Sequence, residues 1–191
     1  MTMLPSVLTV WRGTVLALCF LVLAGCSEPV DLSPVPTEAS APYACDGVPQ
    51  RGPDLILGGP APVKFPEQPG TRSEDPLWQC TFDNGDGYLV IRDELLTASG
   101  DFGRDEATAL RVIESFRTAE PIEADFPGQG FIVGSTAIWL CNARVVIVEL
   151  ISRPDDSERD AAQDVTNLLL SQLPFVCEGV EMPEAEDPGE D

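Results

Sequence analysis

Residues Gly13–Cys26, GTVLALCFLVLAGC, decide how much of this chain is left for a folded domain and where that domain folds. Twelve mostly apolar residues, Gly13–Ala24, follow the positive charge of Arg12, and Ser27-Glu28-Pro29 come after Cys26. A basic residue, a short apolar core and small residues before a cut make a secretory signal. The run is too short to span a bilayer comfortably, since a crossing helix needs about 20 apolar residues. Export removes residues 1–25 from the fold and delivers the rest to an oxidising compartment.

The residue at the cut is a cysteine. Leu23-Ala24-Gly25-Cys26 resembles a bacterial lipobox, and the resemblance implies cleavage before Cys26, lipidation of its thiol and tethering to the membrane by the acylated N-terminus. Ser27–Ala44 holds Pro29, Pro34, Pro36 and Pro42 among small and polar residues, so residues 26–44 read as a lipidated cysteine followed by a semi-extended spacer. At about 3.1 Å per residue in a polyproline II conformation, such a spacer reaches roughly 50 Å from the membrane.

Six cysteines divide by role. Cys19 leaves with the signal and Cys26 takes the lipid, leaving Cys45, Cys80, Cys141 and Cys177. An even number in an exported chain predicts two disulfides. Four cysteines allow three pairings. Cys45–Cys80 with Cys141–Cys177 gives each half its own staple, worth about 3–4 kcal/mol apiece by loop entropy. A rival pairing of Cys80 with Cys141 needs their strands to be neighbours.

Loss of residues 1–25 removes one basic residue, Arg12, so ten Lys and Arg remain against 32 Asp and Glu, a net charge of −22. That balance speaks against nucleic acid and against binding an anionic lipid surface by charge, both of which need a basic footprint. Lys64 is the sole lysine beside ten arginines, a bias that fits a high-GC genome.

A domain is expected over 45–177. Pro53–Leu57 suits a short helical turn ending at Gly58-Gly59, and the proline-rich stretch Pro60–Pro76 reads as a long surface loop. Leu77–Phe82 and Tyr88–Arg92 alternate as strands around the turn Asp83-Asn84-Gly85-Asp86-Gly87. Arg104–Arg117 carries the stripe Ala107, Leu110, Ile113 and Phe116 of an amphipathic helix. Phe131–Val133, Ala137–Cys141 and Arg144–Ile151 follow as strands. Ser157 and Asp160 have capping-box spacing for a closing helix over Glu158–Leu173, which Pro174 stops. Glu178–Asp191, with seven acids and two prolines in fourteen residues, reads as a disordered tail.

Trp78-Gln79-Cys80 and Trp139-Leu140-Cys141 share a spacing that puts Trp and Cys on one face of a strand. Each is followed by a returning strand and a helix, so the two describe either a degenerate duplication or two chance motifs in one sheet.

The absence of histidine removes Ser-His-Asp and Cys-His catalysis, histidine zinc sites and imidazole acid–base chemistry. A Ser-Lys pair has only Lys64 to use. Gly128-Gln129-Gly130 lacks the rest of a phosphate-binding motif. Carboxylate pairs hydrolyse glycosides in other proteins, but none here stands in a distinctive motif. Asp83–Gly87 with Glu94 fails as a calcium loop, because Gly85 and Gly87 replace oxygen ligands and Tyr88 replaces the obligatory glycine. No catalytic residue, metal ligand or cofactor is assigned. Trp78, Trp139, Phe102, Phe126 and Phe131 are candidates for an apolar pocket, with Phe102 and Phe126 at its mouth, although aromatics on strands are more often plain core.

Lipobox, proline-rich spacer, Cys45-Asp46 opening and Trp-Gln-Cys strand together resemble small actinobacterial envelope lipoproteins, many of them in a family of unknown function. Members have a Cys-Asp start, a helix ending in glycine and a later cysteine strand; here Pro49 and Pro53 interrupt the helix. The resemblance covers Cys45–Cys177 and implies an α+β domain with an envelope role. Similar ectodomains of actinobacterial sensor kinases point toward ligand or partner sensing. The expected fold is α+β, a mainly antiparallel sheet of about five strands with two main helices on one face, stapled by two disulfides. The expected function is a non-catalytic binding or interaction module on the extracytoplasmic face of the cell membrane, held by the lipid on Cys26. The alternatives are a carrier of a small apolar ligand or lipid and, third, a small carboxylate-based hydrolase.

Overall fold

A computed structural model describes residues 30–67, 78–95, 119–154 and 157–185. Cys26, Phe102 and the helix expected over Arg104–Arg117 lie outside them. Among the described residues the fold is α+β. Its elements run β1 (Tyr43–Cys45), β2 (Val48–Pro49), α1 (Arg51–Leu57), β3 (Val63–Glu67), β4 (Trp78–Asp83), β5 (Tyr88–Leu95), β6 (Glu120–Ile122), β7 (Gln129–Val133), β8 (Thr136–Cys141), β9 (Arg144–Ser152) and α2 (Ala161–Cys177).

The main sheet has seven strands in the order β3-β4-β5-β9-β8-β7-β6, all antiparallel, and β1 with β2 forms a separate small ribbon. The expectation of five strands fell short at the two edges. β3 lies within the proline-rich stretch expected to be a loop, and β6 carries Pro121. An edge strand leaves one side of its backbone unpaired, so a proline there need cost no ladder hydrogen bond. The same prolines leave gaps in the exposed ladder that another strand would need.

Alternation along the strands sorts the sheet into two faces. Cys80, Phe82, Leu89, Ile91, Ala137, Trp139, Cys141, Val146, Val148 and Leu150 point to the main core, where α1 and α2 contribute Leu55, Ile56, Leu57, Val165, Leu168, Leu169 and Leu173. The other face carries a smaller cluster of Ile138, Leu140, Val145 and Ile147 with Phe131 against it. Beside that cluster the face turns polar, with Arg92 lying 3.4 Å from Glu94 and 3.5 Å from Glu149.

Both disulfides join the expected partners. Cys45 bonds Cys80 and Cys141 bonds Cys177, across Cα separations of 6.4 and 5.6 Å. The rival Cys80–Cys141 pair is ruled out by topology, because β5 and β9 stand between β4 and β8.

The two Trp-x-Cys strands occupy equivalent places. β4 and β8 each flank the central β5–β9 pair, and the register runs Trp78, Asp93, Val146, Trp139 straight across the sheet. A pseudo-twofold through the Asp93–Val146 pair relates the halves. The staples break that symmetry, since Cys80 reaches back 35 residues and Cys141 reaches forward 36.

α2 departs from expectation at both ends. It starts at Ala161, where the Asp160 carboxylate accepts the N–H groups of Ala162 and Gln163 at 3.0 and 3.2 Å, so Asp160 caps the helix in place of Ser157. Pro174 lies inside the helix, which runs on to Cys177. The disulfide to Cys141 and the Asn142 amide, donating to the Cys177 carbonyl at 2.7 Å, hold that last turn in place. Its buried stripe is Val165, Leu168, Leu169, Gln172 and Leu173, while Ala161 and Ala162 in the first turn are half-buried.

The turn between β8 and β9 places Asn142 and Ala143 both at left-handed φ, 50° and 60°. This two-residue turn matches the twist of its strands, but its second position favours glycine. A left-handed L-residue costs about 1–2 kcal/mol, partly offset by glycine's greater unfolded-state freedom. Replacing Ala143→Gly should therefore stabilise the domain, raising Tm by about 2 °C in a reversible thermal melt.

Candidate functional site

The inner face of the β5–β9 pair turns polar at one end. Inward positions on β5 run Leu89, Ile91, Asp93, and on β9 they run Arg144, Val146, Val148, Leu150, so the core face receives one acid and one base. Asp93 is 1 % exposed. Arg144 holds it with a two-pronged contact, Nε donating to Oδ1 at 3.1 Å and Nη2 donating to Oδ2. Burial raises the Asp93 pKa above the ordinary carboxylate value, and the hydrogen bonds and charge of Arg144 pull it back without cancelling the rise. Trp78 and Trp139 flank this pair in one cross-strand row, about 14 Å apart by strand spacing.

Trp139 is fully buried, and its indole N–H donates to the Pro127 carbonyl at 2.9 Å. The loop bearing Phe126 can lie this close to β8 because Gly128 and Gly130 lack side chains: a Cβ at either position would overlap the Leu140 backbone or the Trp139 ring. Phe126 packs, half-buried, on the same main core, as does Trp78. Phe131 belongs to the cluster on the opposite face. Of the candidate pocket residues, Trp139, Phe126 and Trp78 thus share the main core, and Phe131 lies on the opposite face of the sheet.

A second buried ion pair sits at the other end of the domain. The Arg159 guanidinium grips Asp164 through Nε at 2.8 Å and Nη2 at 2.6 Å, while Nη1 donates to the backbone carbonyls of Asp31 at 2.7 Å and Ser33 at 2.9 Å. Asn167 adds a bond from its amide to the Val35 carbonyl at 3.0 Å, and Val35 is 1 % exposed. The proline-rich stretch expected to be a free spacer is therefore docked on α2 from Asp31 to Val35. The C-terminal stretch behaves likewise as far as it is described. Gly47 donates its N–H to the Pro183 carbonyl at 2.8 Å, and the Asp46 carboxylate accepts the Ala185 N–H at 3.0 Å.

The hairpin turn Asp83–Gly87 spends its oxygens internally. Asp83 Oδ1 accepts the Gly85 N–H at 2.7 Å, Asn84 Oδ1 accepts those of Asp86 and Gly87, and Lys64 lies 3.3 Å from Asp83. Asn84 also donates to the Leu57 carbonyl at 2.9 Å, tying the turn to the end of α1. Among the described residues no three Cys, Asp or Glu side chains gather as a metal site. Both buried carboxylates, Asp93 and Asp164, are engaged by an arginine. Sequence reasoning passed over all four of these ion-pair residues, although strand phase alone places Asp93 and Arg144 on the inward face.

No protein-family model matches the chain, and comparison with the curated proteins and with the solved structures gives no match.

The Asp93–Arg144 pair is asymmetric: Asp93's side chain is almost wholly buried, whereas Arg144's is 28 % exposed. Removing Arg144 strands a buried charge, while neutralising Asp93 leaves an arginine that still reaches water. Arg144→Met should cost about 3 kcal/mol, at the low end for a broken buried pair, and Asp93→Asn about 1 kcal/mol. The pH dependence follows from the raised pKa. Between the ordinary carboxylate value and the raised one, the folded state keeps a proton that the unfolded chain has released, so this residue's contribution to stability falls as pH rises. Asp93→Asn removes that fall, and Arg144→Met extends it to higher pH. Denaturant titrations across acid pH measure both.

Proposed function

We propose that this chain is an extracytoplasmic lipoprotein, acylated at Cys26, whose domain is a non-catalytic binding or interaction module of the cell envelope. The observation that carries the reading is the pair of disulfides in a chain whose Leu23-Ala24-Gly25-Cys26 resembles a lipobox. Structural disulfides persist outside the reducing cytosol, and the signal supplies the route there. Among the described residues no helix is long and apolar enough to cross a membrane. On this reading the lipid on Cys26 supplies the attachment.

The binding role draws support from how the polar core is spent. A hydrolase built on acidic residues needs a pair of carboxylates facing one substrate. Here Asp93 and Asp164 each face an arginine. Proline at both sheet edges disfavours docking by strand addition, so a partner would meet loops or a sheet face.

Two measurements test this reading. In an exporting actinobacterial host, the wild-type protein should fractionate with membranes and carry the mass of acyl chains on Cys26, and Cys26→Ser should move it to the soluble fraction. Native mass spectrometry of residues 27–191 purified without reductant should give an apo mass. A discrete adduct released on denaturation would replace the interaction module with a ligand carrier. Turnover of an ester, glycoside or peptide, abolished by mutating a carboxylate pair, would replace both with an enzyme.

A further inference from the structure

The lipid on Cys26, taken from the reading above, is covalently joined to a domain whose root is clamped at Asp31. Arg159 holds the carbonyls of Asp31 and Ser33, Asn167 holds that of Val35, and the Val35 side chain is buried. Four residues, Ser27–Val30, separate the anchor from the clamp. Five extended residue steps span at most about 17 Å.

The clamp also has a fixed address within the fold. Arg159 lies two residues before the start of α2, and its carbonyl accepts Arg153 Nη2 at 2.6 Å, so the root lies at the end of the sheet where β9 finishes. Tyr88 pairs with Ser152 at that same end, which brings the Asp83–Gly87 turn alongside. The opposite end holds the Asn142-Ala143 turn, the Cys141–Cys177 disulfide and the start of the acidic C-terminal stretch. The nine residues of β9 separate the two ends by about 30 Å. A leash of about half that length cannot let the domain turn end over end.

We infer that the lipid-anchored domain sits directly on the bilayer surface in one orientation, with the end bearing the Asp83–Gly87 turn and Leu32 toward the lipid and the Cys141–Cys177 end facing outward. Leu32 is 56 % exposed and Ile151, two residues before Arg153, is 57 % exposed, so two of the large exposed apolar side chains lie near the clamped root. The outward end, carrying the first residues of the acidic stretch, is then the surface offered to a partner.

The test uses the full acylated protein in phosphatidylcholine vesicles containing a headgroup-labelled energy acceptor. A donor dye is attached through an encoded azide at Asp86, in the turn, or at Glu178, beside Cys177; both side chains are exposed. Transfer from Asp86 should exceed transfer from Glu178 at least twofold. Equal transfer from the two sites would overturn the orientation. Insertion of fifteen Gly and Ser residues between Ser27 and Glu28 lengthens the leash without touching the fold, and should abolish the difference. A difference that survives the insertion would overturn the leash as its cause. The paired change Arg159→Leu with Asp164→Leu, which removes the clamp without stranding a charge, should likewise equalise the two sites. Absence of acyl mass on Cys26 would sink the anchoring reading itself. Resistance of the Leu32–Val35 segment to proteolysis in the soluble domain, lost in the paired Arg159→Leu and Asp164→Leu variant, would show the clamp intact in that case.

Discussion

The β5–β9 pairing is the contact on which the rest of the fold depends. β4–β5 and β8–β9 are local hairpins, each set by its own turn, and a lone hairpin is at best marginal in water. Only when β5 and β9 pair over the full run from Tyr88–Ser152 to Leu95–Arg144 do two hairpins become one sheet with a continuous inner face. That junction also settles the disulfides. It places β4 and β8 on opposite flanks, so each cysteine must find its partner outside the sheet, Cys80 in the small ribbon and Cys141 at the end of α2. The staples then tie the cover of the core to the two halves of the sheet separately.

A buried ion pair lies at each end of the domain, and the two do different work. Asp93 and Arg144 bridge β5 and β9 diagonally beside the pseudo-twofold, where a hydrophobic pair of similar volume could pack as well or better. What a charged pair adds there is discrimination: slipping β9 by one residue would send Arg144 to the other face and leave Asp93 buried alone. Arg159 and Asp164 lie at the head of α2, and the guanidinium has donors to spare after satisfying the carboxylate. Those spare donors capture two carbonyls of a segment with no regular structure of its own. Arginine's fork geometry is what lets one side chain join a helix and a passing backbone at once.

How much of this was legible in the sequence depends on which atoms carry the signal. β4, β5, β8 and β9 were readable because alternation and β-branched runs are properties of side chains, and so was α1, whose Gly58 cap takes φ 75°. β3 and β6 were not, because proline punctuates a chain in the same way whether it ends a strand or sits harmlessly on an edge. The continuation of α2 through Pro174 was hidden for a different reason: a disulfide and Asn142 hold the last turn, and both contacts come from residues more than thirty positions away. The docking of Asp31–Val35 was the least accessible of all. Its grip is on backbone carbonyls, which every residue possesses, and only the single buried Val35 marks the segment. The pocket aromatics failed to gather because Trp139 and Phe131 sit on neighbouring strands with opposite phase, a distinction that needs the register of β7 against β8.

Docking of the spacer changes how the charge of the domain has to be understood. A long free leash would let a body of net charge −22 drift beyond the field of an anionic bilayer, which decays over about 8 Å at physiological ionic strength. With Cys26 acylated as proposed, a leash of a few residues would hold it within roughly two such lengths, where repulsion is felt but screened. The acids are not evenly disposed against that surface. The C-terminal stretch starts beside Cys177, at the end of α2 remote from Arg159, and then turns back onto the fold through Pro183 and Ala185, so Glu178 is the acid that marks the end remote from the clamped root. On the proposed anchoring, repulsion from an anionic surface would add to the leash in holding that end outward, and its acids would present a negative field to a cationic partner approaching from the other side.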